Sequence, residues 1–391
     1  MKKNKSFNWP YYSSEEIKAV TNVLKSGKVN YLFGSIGKKF EKNFSKYFNI
    51  KYSIAVSNGT VALELALRAI GININDEVIV TPRSYYSSAS SIIQIGGKPV
   101  FADIDIETQN INLNTIKKVV TKKTKAIICV HLGGYPCKMK EIMTYAKKRK
   151  LFVIEDCSQA HGAKIHNQYV GTFGDIATWS FCNDKIISTG GEGGMLATNK
   201  KKYWKFIWSY KDQGKNFDKY FKKNENNLFK YVHDNIGSNY RMTEMQAAIG
   251  IYQLKKLSYW INIRNKYANL LNDILKNFKS ITLCKYDINF TNSYYRYYFF
   301  INPEFLKKNW SRDKIIEYLN KNKINCGSGT CPEIYLEKSF KKINSIKNIE
   351  LSNAKKLGEK SIAINIHQNI SSRKITHIAK SLSNLFLKVT L

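Results

Sequence analysis

The 391-residue sequence lacks a long apolar run, and no segment approaches the roughly 18 apolar residues that a membrane-spanning helix needs. Its basic start, MKKNKSFNWPYY, also lacks the apolar stretch of a signal peptide. Hydrophobic residues still make up 43% of the chain, which is enough for a substantial core. We therefore expect a soluble, cytoplasmic protein with no membrane partner, long enough for one large domain and a smaller one.

Cysteines are few and scattered. The number is seven, which is odd, and the irregular spacing argues against a disulfide framework. Cys326 and Cys331 lie close together, but no matching His or Cys pair completes a zinc pattern. We expect neither a disulfide framework nor a metal site.

Acidic residues are scarce as well, with 29 Asp and Glu against 63 Lys and Arg, so the formal charge is +34. Such a charge suggests nucleic acid or an anionic surface as a partner. However, only eight of the basic residues are arginine, the lysines are spread through every segment, and no nucleic-acid-binding motif stands out. The charge fits an anionic small-molecule substrate equally well, and we expect no nucleic-acid partner.

From residue 52 onward, short apolar strands alternate with amphipathic helices. This alternation is typical of a parallel sheet covered by helices on both faces. The segments GDIATWSF and GGMLATN add two strands, and a long helical pattern from Met242 leads into a second region with the strand YYRYYFFIN and a helix after Ser371. The pattern predicts an α/β fold, with a large domain over residues 1–255 and a smaller C-terminal α+β domain over residues 256–391.

Two segments outside the sheet pattern are also informative. Ser13 followed by Glu16 is a capping box, which predicts an amphipathic helix that ends at Gly27. The polar segment 212–237 is long for a loop, and both an active-site element and disorder remain open for it.

Ligands of open α/β sheets bind beyond the carboxyl ends of the strands, so we expect the functional residues there. In SNGTVALEL a strand ends, a turn of small residues follows and a helix begins, which suits an anion, and Thr60 adds a hydroxyl. An ordinary Asn-Gly turn with Thr60 as N-cap explains the same residues. In TPRSYYSSAS, either Tyr85 or Tyr86 is placed to stack on a flat ring, although simple core packing is the alternative.

Two ionisable residues complete the set. Asp156 ends a buried strand, where its carboxylate needs a partner such as a protonated pyridine nitrogen, unless it only caps the next turn. Lys185 follows a buried strand, where desolvation lowers the pKa of an amine and prepares it to form a Schiff base, unless it is a solvated surface lysine. Together with the anion turn and the tyrosine, these are the parts that a pyridoxal phosphate site needs.

From about Ser13 to about Leu254, with a looser match beyond, the sequence resembles the DegT/DnrJ/EryC1/StrS sugar aminotransferases, within the fold-type I pyridoxal phosphate enzymes. The resemblance rests on five motifs in the expected order, which are SNGTVALELAL, VHLGGYPCKM, IEDCSQAHGA, SFCNDKIISTGGEGGM and NYRMTEMQAAIG.

The resemblance implies roles for individual residues. It implies that Lys185 forms the Schiff base with the cofactor, that Asp156 pairs with its pyridine nitrogen and that Gln159 lies near its ring hydroxyl. Asn239 would reach the phosphate from a partner subunit, which implies a homodimer with composite active sites. The further cofactor contacts that the resemblance implies are Gly59, Thr60 and Ser180 at the phosphate and Tyr86 stacked on the ring.

The activity that the resemblance implies is transfer of an amino group from L-glutamate to a keto sugar on a nucleotide diphosphate, for a surface glycan or polysaccharide, with pyridoxamine phosphate as the intermediate cofactor form. A 4-keto-6-deoxy sugar is favoured, but a 3-keto sugar or a small phosphorylated ketone stays open, because FCND before Lys185 and the segment 326–340 depart from the family pattern. Related pyridoxamine-dependent dehydratases carry histidine at the position of Lys185, so the lysine favours amino transfer over that alternative. A regulatory or nucleic-acid-binding relative without catalysis is a further alternative.

Overall fold

The computed structural model describes residues 9–221, 232–343 and 351–391, and its main feature is a sheet of seven strands. The strands β8, β5, β4, β2 and β3 run parallel to one another, whereas β9 lies between β1 and β8 and is antiparallel to both. The predicted α/β fold with a mainly parallel sheet is therefore confirmed. Side by side, the strands are Tyr52–Val56 (β1), Gly194–Thr198 (β9), Ile176–Ser180 (β8), Phe152–Asp156 (β5), Thr124–Val130 (β4), Glu77–Val80 (β2) and Lys98–Phe101 (β3).

Helices cover both faces of this sheet. Alternate residues of a strand point to opposite faces, and in β1 Ala55 packs into one core cluster while Ile54 and Val56 pack into the other. The described helices are Ser14–Ser26 (α1), Ile36–Phe48 (α2), Gly59–Ala69 (α3), Ser87–Gln94 (α4), Leu113–Lys117 (α5), Met139–Arg149 (α6), Lys201–Lys211 (α7), Phe217–Phe221 (α8), Glu244–Leu275 (α9), Arg312–Lys321 (α10), Lys338–Lys341 (α11), Ser352–Lys360 (α12) and Ser372–Val389 (α13).

The first helix follows its sequence signals. The backbone N–H of Ser13 donates to a carboxylate oxygen of Glu16 at 2.6 Å, and Gly27 ends the helix with φ at 68°. A positive φ of this size strains residues that carry a Cβ, so glycine suits the position. The predicted capping box and glycine stop are confirmed.

A second, antiparallel sheet and a small three-stranded sheet lie later in the chain. The predicted boundary after residue 255 falls inside α9, which continues to Leu275 without interruption, so the division into domains stays a prediction. The second sheet contains, side by side, Ile281–Leu283 (β10), Tyr297–Ile301 (β12), Ser361–Ile364 (β14) and Cys326–Gly327 (β13), and the small sheet contains Phe290–Thr291 (β11), Lys164–Ile165 (β6) and Gln168–Tyr169 (β7).

The small sheet brings a distant piece of chain to the main sheet. Its strand β11 pairs antiparallel with β6, which lies shortly after the end of β5. The residues between β11 and β12 are thereby held near the carboxyl ends of the main strands.

The predicted irregular segment 212–237 lies partly outside the described residues. In the described part, α8 follows a turn in which buried Asp212 forms ion pairs with Lys215 at 3.1 Å and with Arg241. These pairs tie the segment to the chain that precedes α9. Over the described ranges, no helix combines the length and apolar character needed to cross a membrane.

Candidate active site

A cavity of about 810 Å³ opens at the carboxyl ends of the main-sheet strands. This edge is where open α/β sheets bind their ligands. One side, which we call the strand-end wall, consists of Asn58, Gly59, Thr60, Asp156, Gln159 and Ser180. The opposite side, which we call the aromatic wall, consists of Tyr295, Arg296, Tyr298, Gly329 and Thr330.

The turn after β1 packs closely against the end of β8 and begins α3. The side chain of Asn58 accepts the backbone N–H of Val61 at 2.9 Å, so Asn58 is the N-cap and not Thr60, as the turn hypothesis had placed it. A Cβ on Gly59 would lie 2.6 Å from the Cβ of Ser180, which only glycine avoids. The first turn of a helix has N–H groups without partners inside the helix, so this turn together with the Thr60 and Ser180 hydroxyls suits a phosphate.

Asp156 occupies the end of β5 and is 4% exposed. One oxygen accepts the hydroxyl of Ser88 at 3.0 Å, and the other accepts the backbone N–H of Ser158 at 3.1 Å. Its neighbour Gln159 accepts the N–H of Gly133 at 2.9 Å through its side-chain oxygen, which leaves the amide NH₂ group to meet a ligand. The carboxylate is thus fixed in place while it faces the cavity, as pairing with a pyridine nitrogen requires.

Lys185 lies at the cavity with 9% of its surface exposed, so it is not a solvated surface lysine. Its Nζ donates to the hydroxyl of Tyr295 at 3.3 Å and lies 3.7 Å from Oδ1 of Asp184. Burial alone would lower the pKa of Lys185, but Tyr295, Asp184 and Asp156 outweigh burial and the pKa is raised. The expectation of a lowered pKa was wrong because it counted desolvation and not these partners.

The two tyrosines after β2 have different surroundings. Tyr85 lines the cavity, whereas Tyr86 is not among the lining residues. The Tyr86 hydroxyl donates to Ser339 at 2.8 Å, and its ring packs edge-on against Phe340 with centroids 5.4 Å apart. The structure turns the predicted Tyr86 toward Ser339 and Phe340 and offers Tyr85 as a ring-stacking candidate at the cavity, while the stacking role itself stays a prediction.

The predicted partner-subunit contact is placed on the surface of this chain. Asn239 is exposed and forms an isolated antiparallel bridge with Asp212. It does not line the cavity of its own chain. Its role across a dimer interface stays a prediction.

The aromatic wall and Asp184 were missed at the level of sequence. Tyr295 and Arg296 directly precede β12, some 110 residues beyond Lys185 in the chain, and only the tertiary structure brings them to it. The available signal was the arginine inside the aromatic run YYRYYFFIN, which was interpreted only as a strand.

A second cluster of ionisable groups is fully buried behind the sheet edge. The ligand atoms of His131, Glu155 and Cys157 lie within 4.8 Å of one another. The Glu155 oxygens accept the backbone N–H groups of Gly171, Phe173 and Gly174 at 2.6–2.8 Å, and His131 lies 3.2 Å from the same carboxylate. The carboxylate is therefore already engaged in holding the loop before β8, and the expectation of no metal site stays a prediction.

The site residues fit pyridoxal phosphate on their own geometry. The strand-end wall supplies a phosphate turn whose glycine cannot be replaced without a clash, and an oriented carboxylate. Lys185 supplies an amine at the same cavity. These are the donor and acceptor groups that a phosphate, a pyridine nitrogen and an aldehyde require.

Comparison with known proteins agrees with this description. The chain belongs to the DegT/DnrJ/EryC1/StrS aminotransferase family, whose family model matches residues 10–383. It is 45% identical over 245 residues to a GDP-perosamine synthase from Escherichia coli O157:H7, an alignment that spans 63% of each chain. The X-ray structure of an aminotransferase from Psychrobacter cryohalolentis superposes with a TM-score of 0.95 at 40% identity, covering 98% of this chain and 99% of that one.

One similar structure also shows a neighbouring chemistry. An E coli GDP-4-keto-6-deoxy-D-mannose-3-dehydratase with bound hydrated PLP has a TM-score of 0.83 at 27% identity, covering 96% of this chain and 99% of that one. The predictions of the family, of an enzyme and of pyridoxal phosphate as cofactor are confirmed.

Proposed function

We propose that this chain transfers an amino group to the keto carbon of a nucleotide-linked keto sugar. The observation that carries the proposal is that the Lys185 amine and the Asp156 carboxylate face one cavity whose rim is the phosphate turn at Gly59. The curated relative, named a GDP-perosamine synthase, supports a sugar nucleotide as the substrate class, although the chain aligns to only 63% of that relative's length.

The residues of the strand-end wall would hold the cofactor, with Gly59, Thr60 and Ser180 at the phosphate and Asp156 at the ring nitrogen. Pyridoxal phosphate, when bound, supplies an aldehyde that takes up the amino group and a ring that accepts electron density. Asp156 would favour a positive charge on the ring nitrogen, because its carboxylate is buried and is oriented by two hydrogen bonds.

Lys185 supplies the proton transfers. Its amine lies in the cavity, where it could move a proton between the substrate carbon that bears the nitrogen and the cofactor's aldehyde carbon on the other side of that nitrogen. The charged form is favoured in the cavity, so Lys185 must lose a proton before it acts as a base. Because this position carries lysine and not histidine, amino transfer is favoured over the dehydratase alternative.

We further propose a 4-keto-6-deoxy sugar linked to GDP as the acceptor to test first, with L-glutamate as the donor. The support is the similarity to two E coli proteins, a GDP-perosamine synthase and a GDP-4-keto-6-deoxy-D-mannose-3-dehydratase. The segment 326–340 departs from the family pattern, and its residues Gly329 and Thr330 line the cavity. A 3-keto sugar nucleotide and a small phosphorylated ketone are therefore the next acceptors to test.

The test is the visible absorption spectrum of the purified full chain with pyridoxal phosphate, before and after L-glutamate. We expect a band of lysine-bound cofactor that glutamate converts to the pyridoxamine form, followed by recovery of the band when the keto sugar nucleotide is added. Absence of the first band would overturn the Lys185 assignment. Conversion by glutamate without recovery by any keto sugar nucleotide would overturn the substrate class and leave the aminotransferase chemistry standing.

A further inference from the structure

Lys185 is part of a four-residue cluster that the proposed chemistry does not account for. The Tyr295 hydroxyl lies between two partners, because it accepts a hydrogen bond from Lys185 Nζ at 3.3 Å and donates to Oδ2 of Asp184. Arg296 donates to the same Oδ2 at 3.1 Å. The Asp184 carboxylate is thus in contact with the Tyr295 hydroxyl and with two cations, Lys185 and Arg296.

The local backbone explains why adjacent residues 184 and 185 meet the same group. The N–H of Lys185 donates to the carbonyl of Cys182 at 3.1 Å, which closes a turn after β8. This turn places the Asp184 and Lys185 side chains on the same side, where both line the cavity. Trp9 fixes the turn further by donating its indole N–H to the Lys185 carbonyl at 2.8 Å.

The cluster also joins two distant parts of the chain at the reactive amine. Asp184 and Lys185 follow the main sheet, whereas Tyr295 and Arg296 lead into the second sheet. Lys185 Nζ also lies 4.6 Å from the centroid of the Tyr295 ring, where the face of the ring attracts a cation. The Lys185 ammonium is therefore held by two side chains, those of Asp184 and Tyr295.

We propose that Asp184 and Tyr295 are positioning residues for Lys185, which hold its ammonium group against the aromatic wall and set the pH at which the amine becomes a nucleophile. The inference rests on the proposed role of Lys185 in amino transfer. The other ionisable groups that face Lys185 are Asp156 from the end of β5, Arg296 beside Asp184, and buried His161, whose pKa burial and Lys185 lower to about 3. Among them, Asp184 is the carboxylate in ion-pair contact with the amine, at 3.7 Å.

The sign of each substitution follows from the charges. A neutral residue at 184 removes an anion from beside the ammonium, so a larger fraction of Lys185 is uncharged at a given pH. A neutral residue at 296 removes a cation that competes for the same carboxylate, so a smaller fraction of Lys185 is uncharged. Asp184 is partly exposed, with 44% of its side chain open, so solvent weakens both effects.

The experiment measures the reactivity of Lys185 in the cofactor-free full chain. Formaldehyde with cyanoborohydride methylates uncharged amines. Peptide mass spectrometry then gives the rate of methylation at Lys185 over a series of pH values from about 6 to about 10. In Asp184→Asn we expect about tenfold faster labelling at a fixed pH. In Tyr295→Phe, which keeps the ring, we expect about threefold faster labelling, and in Arg296→Gln slower labelling.

Asp273→Asn is the matched control, because Asp273 forms an ion pair with Lys276 at 2.8 Å on the exposed face of α9. It removes the same charge and should leave labelling of Lys185 unchanged. Equal curves for the parent chain and Asp184→Asn overturn the inference. If Asp184→Asn does not fold, an unchanged curve for Tyr295→Phe overturns it.

Failure of this inference is distinguishable from failure of the proposed function. The parent chain is also tested for the absorption band of bound pyridoxal phosphate. If the band forms and the Lys185 curves coincide, the aminotransferase proposal stands and Asp184 has no influence on the amine. If no band forms, the proposed function fails, whatever the labelling curves show.

Discussion

The two sides of the cavity differ in how they are built. The strand-end wall is tightly packed, since a Cβ on Gly59 would meet Ser180 at 2.6 Å and Asp156 is held by two hydrogen bonds. The aromatic wall is made of side chains from the far end of the sequence, with Arg296 still partly exposed. The comparison teaches that the proposed cofactor contacts lie on main-sheet turns, while Tyr295 and Arg296, which contact Lys185 and Asp184, come from a separate part of the chain.

Lys185→Ala tests the residue that lies between the two walls and has the largest expected effect. We expect amino transfer to fall by about 10³-fold or more, because the proposed mechanism assigns to Lys185 both the attachment of the cofactor and the proton transfers. Turnover of glutamate with a keto sugar nucleotide is the measurement. Lys276→Ala, at an exposed lysine directly after α9, is the control, and near-parental turnover in Lys185→Ala would remove Lys185 from the mechanism.

Asp156→Asn removes the negative charge of the carboxylate from the strand-end wall. The amide can still accept the Ser88 and Ser158 hydrogen bonds in part, so we expect the fold to persist while turnover falls about 100-fold. Thermal unfolding by circular dichroism checks the fold, and turnover is measured beside it. Thr330→Ala on the aromatic wall should lose much less turnover. An equal loss of turnover in the two variants would contradict the functional difference between the two walls.

Gly59→Ala introduces a steric clash into the same wall. The added methyl group overlaps Ser180, so we expect a loss of about 1–3 kcal/mol in the free energy of unfolding together with weaker binding of pyridoxal phosphate. Urea denaturation and a cofactor titration measure the two effects. Gly327→Ala is the control, because a Cβ there meets no atom within 4 Å, and equal stability of the two variants would contradict the close contact.

Tyr85→Ala and Tyr86→Ala have the smallest expected effects and test which of the two tyrosines contacts the cofactor. Tyr85 lines the cavity, so its loss should weaken pyridoxal phosphate binding by about 3- to 10-fold if it stacks on the ring. Tyr86 packs on Phe340 and should affect stability and not cofactor affinity. The reverse outcome in a fluorescence titration would restore Tyr86 as the stacking residue.

Much of the strand-end wall could be predicted because each part is local. A strand followed by small residues and a helix predicts an anion turn, and an aspartate at a strand end predicts a buried carboxylate, as found at Gly59 and Asp156. The orientation of Tyr86 away from the cavity could not be predicted, because a motif alone does not give the direction of a side chain. The error in the Lys185 pKa arose because the adjacent Asp184 was not weighed against burial and because Tyr295 is distant in the sequence.

The sequence by itself determined the alternation of strands and helices, the family and the strand-end chemistry, since these depend on the periodicity of apolar residues and on short motifs. Only the tertiary structure decided what faces Lys185 across the cavity. Tyr295 and Arg296 meet Asp184 because β11 pairs with β6 beside the main sheet, and this contact joins residues some 110 positions apart. Such a contact depends on the packing of two sheets, which no local pattern of residues encodes.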